Sequence, residues 1–139
     1  MDESLINDCM NAFSQWLVGT RLREVVCRGE LYSFVFDNFA LHTFTYWRFS
    51  CSDAIHFRER SLEPTVDVKG ICDRVKDAQV SQATIEGPWR DARIIFSNGC
   101  SLETFQDSLE YENWNLTERT FEKRRQLVAG CGSTLTIWD

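Results

Sequence analysis

With 139 residues and a formal charge of −6, the chain has the length of one domain and an acidity that disfavours nucleic acid and suits a basic protein partner. Two prolines and seven glycines leave no room for a low-complexity linker. Six cysteines without Cys-x-x-Cys spacing, and only His42 and His56 as histidines, exclude the common zinc patterns, so no metal or cofactor is expected.

Asp2 and Glu3 stand where a secretory leader would carry bases, and no apolar run reaches the length of a membrane span. A cytoplasmic protein with reduced thiols is the expectation, with no membrane association. Leu5, Ile6, Cys9, Phe13, Trp16 and Leu17 fall at helical spacing, and Gly19 follows as the stop. Three apolar runs with strand character come next: Leu22 to Cys27, Leu31 to Asp37, and Ala40 to about Phe49. The third carries aromatics on both faces, which predicts a central strand.

Pro64 marks residues 61–69 as the connection between halves, and Val68, Ile71, Cys72 and Val75 then recur at helical spacing. The stretch Arg93 to Phe105 places Asn98-Gly99 between alternating apolar residues, which predicts a hairpin with a type I′ turn. Phe34 to Phe44 is an imperfect copy of that stretch. Laying Leu17 on Val75 brings Val25 onto Ala83 and, after two extra residues near Gly87-Pro88-Trp89, Phe36 onto Phe96. The predicted fold is therefore α+β, a mainly antiparallel β-sheet from two related helix-plus-three-strand units, with helices on one face. It forms a single domain over 1–139, with an internal pseudo-repeat over about 5–57 and 68–117 and a closing hairpin over 126–138. Between them, Gln106 to Thr117 reads as a further strand or irregular edge, and Thr117 or Glu118 could cap a short helix reaching Arg125.

No nucleophile elbow, phosphate-binding loop, dinucleotide fingerprint or zinc-protease motif is present, and no catalytic residue is assigned. His42 could work with Cys51 or Asp53 in a cleft between the repeats, or be an ordinary hydrogen-bonded sheet histidine. Charge distribution is more informative. From Ile94 to Glu118 there is no lysine, arginine or histidine, while Glu103, Asp107, Glu110, Glu112 and Glu118 are acidic and Tyr111 and Trp114 are interleaved. Carboxylates supply steering and register to a basic partner, and aromatics supply contact area. The candidate partner-binding set is Glu103, Asp107, Glu110, Tyr111, Glu112 and Trp114, together with Trp89 at a loop tip. The alternative is that Tyr111 and Trp114 are core residues beside solubilising acids.

Leu17-Val18-Gly19, the hairpin at Phe96-Ser97-Asn98-Gly99, the box Tyr111-Glu112-Asn113-Trp114 and the closing Gly130-Cys131-Gly132-Ser133-x-Leu135-x-Ile137-Trp138 resemble a family of small bacterial proteins built on a doubled β-rich unit. Cys131 departs from the proline of that pattern, and Phe39 replaces the turn glycine in the first copy. In size, charge, free thiols and lack of catalytic motifs the chain is also similar to immunity proteins of bacterial toxin systems, including contact-dependent growth inhibition. That resemblance implies a monomer or weak dimer that binds a cognate, basic, nuclease-type toxin domain and blocks its active site. A small-ligand or enzymatic domain and an oligomerising module are the other readings.

Overall fold

The computed structural model describes residues 3–29, 31–44, 46–51, 68–105, 113–119, 125–130 and 134–138, and the backbone of 54–58. The protein is α+β, with antiparallel pairing throughout. Helix α1 spans Glu3–Leu17 and buries Cys9, Ala12, Phe13 and Leu17. The chain leaves it through Gly19, whose φ of 87° lies in the left-handed region that glycine enters without a Cβ penalty. Strands β1 (Glu24–Arg28), β2 (Leu31–Val35) and β3 (Phe39–Thr43) then form a meander. After β4 (Trp47–Cys51) and β5 (Ala54–Arg58) comes α2 (Val68–Val75), followed by a second meander of β6 (Val80–Glu86), β7 (Asp91–Phe96) and β8 (Ser101–Thr104). Strands β9 (Trp114–Glu118), β10 (Gln126–Ala129) and β11 (Leu135–Trp138) complete the described chain.

The strands form two sheets instead of the single one expected. Their orders are β1-β2-β3-β9-β10-β11 and β5-β4-β8-β7-β6. Each sheet is a three-stranded meander from one half of the chain, extended by strands from the other half. The expected long strand from Ala40 to Phe49 is accordingly two strands: the chain leaves the first sheet after Thr43 and joins the second at Trp47. No glycine or proline announces this change of sheet, because Phe44 and Tyr46 have the same strand-forming character as their neighbours. Likewise, Trp114 to Glu118 is a strand between β3 and β10, not an edge, and Thr117 and Glu118 belong to it. The remainder of the expected short helix, 120–124, lies outside the described residues.

The hairpin at Asn98-Gly99 is present with a different turn. Gly99 has a φ of 91°, but Asn98 is not among the residues with positive φ, so the turn is not type I′. Phe96 N–H donates to the Cys100 carbonyl at 2.8 Å, closing a three-residue loop in which Asn98 Oδ1 accepts from the Cys100 amide. The side chain of Asn98 also donates to the Arg74 carbonyl, tying the turn to the C-terminal end of α2.

Buried side chains from both sheets and both helices form one core cluster, including Phe13, Leu17, Phe34, Trp47, Phe49, Ile71, Ile94, Phe96, Leu102, Trp114 and Leu116. Helix α1 packs on β6 and β11, and α2 packs on β1. Between the sheets, the hydroxyls of Thr43 and Thr104 share a buried hydrogen bond of 2.6 Å. Among the described residues no helix is long and apolar enough to cross a membrane.

Cysteine chemistry departs from the expectation of reduced thiols. Cys51, at the end of β4, is bonded to Cys100, just before β8, and the bond spans 49 residues of chain. Cys9, Cys27 and Cys72 are free, and burial raises the thiol pKa of Cys9 and of Cys72.

Candidate functional site: the crossover face

The chain passes twice between the sheets, and the two passages meet. From Thr43 to Trp47 it crosses in three residues, 44–46; from Thr104 to Trp114 it takes nine, 105–113. Phe44 N–H donates to the Asn113 carbonyl at 2.9 Å, and Phe105 N–H donates to the Tyr46 carbonyl at 2.9 Å. Asn113 is held further by its own amide, which donates to the Ala129 carbonyl, and by its side chain, which donates to the Gly130 carbonyl. Phe105 and Asn113, which flank 106–112 in the sequence, are therefore both bonded to the first crossover.

Phe44 and Tyr46, at that crossover, are 41% and 44% exposed. Large aromatics left in water at the convergence of two backbone passages form a contact surface for a partner more readily than a solvated loop. A third exposed aromatic is tethered to the same region. Trp89, 59% exposed, stands on the β6–β7 turn, whose Gly87 and Arg90 have φ of 71° and 61°. The Arg90 carbonyl accepts a 3.2 Å hydrogen bond from Trp114 Nε1, which joins this turn to the residue that follows Asn113.

The residues predicted from sequence separate on this geometry. Trp114 is fully buried, 5.4 Å from the Phe13 ring between centroids, so it cannot present a contact surface and is corrected to a core residue. A tryptophan paired with Thr43 in the middle of a sheet has neighbours on every side. Glu103 is half-buried and ion-paired with Arg48 at 2.9 Å, while the Arg48 guanidinium lies over the Phe105 ring; its charge is already engaged. Trp89 is exposed. Asp107, Glu110, Tyr111 and Glu112 lie outside the described residues. Phe44 and Tyr46 were missed by sequence reasoning, although their position in a run with aromatics on both faces was the available signal.

The histidine alternative gains no support from the arrangement around His42. Its Nδ1 lies 2.6 Å from Ser33 Oγ, and burial pushes its pKa below the usual value, so the ring is neutral near pH 7 and occupied by a sheet hydrogen bond. The Cys51 sulfur, the candidate partner of His42, is in the disulfide. Asp53 and the side chain of His56 lie outside the described residues. No group of three histidine, cysteine, aspartate or glutamate side chains able to hold a metal occurs among the described residues. An open recess of about 290 Å³ between α2 and the Asn98 turn is lined by Asp73, Asp77, Arg74 and Lys76, two charges of each sign. Comparison with protein-family models, curated proteins and solved structures finds no match to the chain.

Proposed function

We propose that the protein neutralises a cognate toxin by stoichiometric binding, using the crossover face to cover a basic, nuclease-type active site. The observation that carries this reading is the inequality of the two crossovers. Three residues suffice to pass between the sheets, yet the second passage uses nine and fills the surplus with Asp107, Glu110, Tyr111 and Glu112. Residues beyond what a connection needs are placed where loops carry function. Here the residues that flank them in sequence, Phe105 and Asn113, bond to the backbone of half-exposed Tyr46 and Phe44. A net charge of −6 steers encounter with a basic partner, and the aromatics supply the desolvated contact. No chemistry is required of the protein, and it acts as a monomer or weak dimer.

The same inequality is meaningful because we infer that the two halves are related units, each a helix followed by a meander and then by strands exchanged into the other sheet, β4 and β5 from the first half and β9, β10 and β11 from the second. Thr43 stands opposite Trp114 in one sheet and Thr104 opposite Trp47 in the other; Leu41 faces Leu116 and Leu102 faces Phe49. The acidic stretch is then an insertion in the second unit. A cytoplasmic setting, which we also propose, requires Cys51 and Cys100 to be thiols there, since glutathione and thioredoxin keep such pairs reduced.

The test is to mix the purified protein with the product of its neighbouring gene and to express both in one cell. A one-to-one complex that weakens with salt, together with protected growth, is the expected result. Failure to form a complex, or to protect, would overturn the reading.

A further inference from the structure

The two halves meet along two seams, β3 with β9 in the first sheet and β4 with β8 in the second. The seams are secured differently. At the end of the first, Phe39 stands opposite Glu118, and Arg125 joins them: its guanidinium donates to both Glu118 carboxylate oxygens, at 3.0 and 2.9 Å, and lies over the Phe39 ring. At the end of the second, one residue past the Ser50–Ser101 pair, stands the Cys51–Cys100 disulfide. Both seams carry an ionic and aromatic contact, Arg125 on Glu118 and Phe39 in the first and Arg48 on Glu103 and Phe105 within the second, but only the second ends, among the described residues, on a bond that electrons can open.

We propose that the Cys51–Cys100 disulfide is a redox-operated lock on the β4–β8 seam. That ladder is short, running from Trp47–Thr104 to Ser50–Ser101. Its other end is the crossover, where Phe105 N–H meets the Tyr46 carbonyl. Opening the lock frees one end of a four-pair ladder whose opposite end carries the exposed aromatic face. The first seam keeps its clamp, so the halves stay joined and the change is local. The inference stands on the seams alone and holds whether or not the partner is a toxin.

The chemistry needs a dithiol reductant. One thiolate of the dithiol attacks Sγ of Cys51, the less buried of the pair, and displaces Cys100 as a thiolate that takes up a proton. The second thiolate of the dithiol attacks the resulting mixed disulfide, and Cys51 leaves and is protonated in turn. Two electrons and two protons enter the protein; the reductant departs as its own disulfide.

Amide hydrogen exchange on the whole chain, oxidised and after dithiothreitol treatment, tests this. Exchange at the Phe105 amide and along β4 and β8 should accelerate by about tenfold or more on reduction, while the Phe44 amide and the β3–β9 ladder keep their protection. A Cys51→Ala/Cys100→Ala variant should reproduce the reduced pattern without reductant. Equal acceleration in both seams would overturn a local lock, as would no change in either. Two free thiols at these positions after the purified protein is equilibrated with an oxidising glutathione couple, and its thiols are then trapped, would overturn the bond itself. Should the double variant fail to fold, the reductant arm decides alone.

Discussion

Trp47 and Trp114 are a matched pair that differs in one atom's surroundings, and replacing each by phenylalanine isolates that difference. Both are buried, at 2% and 0% exposure, and each stands opposite a threonine of the shared Thr43–Thr104 contact. Trp114 Nε1 donates to the Arg90 carbonyl, whereas Trp47 Nε1 is buried with no hydrogen-bond partner among the described residues. Trp114→Phe therefore loses a hydrogen bond, at a cost of about 1 kcal/mol, on top of the smaller ring. Trp47→Phe removes a buried donor whose desolvation costs about 1–3 kcal/mol, which offsets much of its lost volume. Trp47 has two aromatic neighbours, Tyr32 and Phe34, against one for Trp114, Phe13, and this returns roughly 1 kcal/mol in the opposite direction. The net expectation is that Trp114→Phe is the costlier change by about 1–3 kcal/mol. Urea unfolding followed by far-ultraviolet circular dichroism measures it without relying on tryptophan emission. A Trp47→Phe variant that loses as much stability as Trp114→Phe, or more, would refute the argument from the indole N–H.

Three further outcomes follow from the same structure. Cys51→Ala/Cys100→Ala, or reduction, frees a 49-residue span of the unfolded chain and should lower the unfolding free energy by about 4 kcal/mol on the chain-entropy account, read from urea curves with and without reductant. Arg125→Ala leaves Glu118, 8% exposed, without its guanidinium; the cost should be about 2–3 kcal/mol, tempered by the arginine's partial exposure, and adding Glu118→Gln should recover part of it. Burial lowers the His42 pKa in the folded state, so the unfolded chain takes up its proton first: stability is full above the ordinary value of 6.5 and falls as pH drops below it towards the folded value. His42→Gln should flatten that fall in urea midpoints measured from neutral pH downwards.

The elements with strong periodicity were legible. The α1 stripe through Cys9, Phe13 and Leu17 and the α2 stripe through Ile71 and Val75 bury the residues their spacing selects. What was not legible was the change of sheet at Phe44–Tyr46, because alternation records which residues share a face and not which sheet the face belongs to. The same limit hid the role of Trp114: an aromatic beside acids reads alike as anchor or core until strand pairing is known, and the β3–β9 ladder is a contact between distant parts of the chain. Asn98-Gly99 correctly marked a hairpin but not its turn, since a three-residue loop with glycine at its left-handed position uses the same pair. Pairing of Cys51 with Cys100 likewise depends on β4 lying beside β8, which no local spacing encodes.

The exposed aromatics offer the most direct test of the central claim that the crossover face is the binding surface. Titration calorimetry of the basic partner against Phe44→Ala, Tyr46→Ala and Trp89→Ala, with urea unfolding of each as the control, separates contact from scaffold. Trp89→Ala, at a side chain mostly in water, should stay within about 0.5 kcal/mol of the parent stability, Phe44→Ala and Tyr46→Ala, at side chains a little under half exposed, should cost about 1 kcal/mol, and at least one of the three should weaken binding by about tenfold or more. Undiminished affinity in all three folded variants would contradict the account.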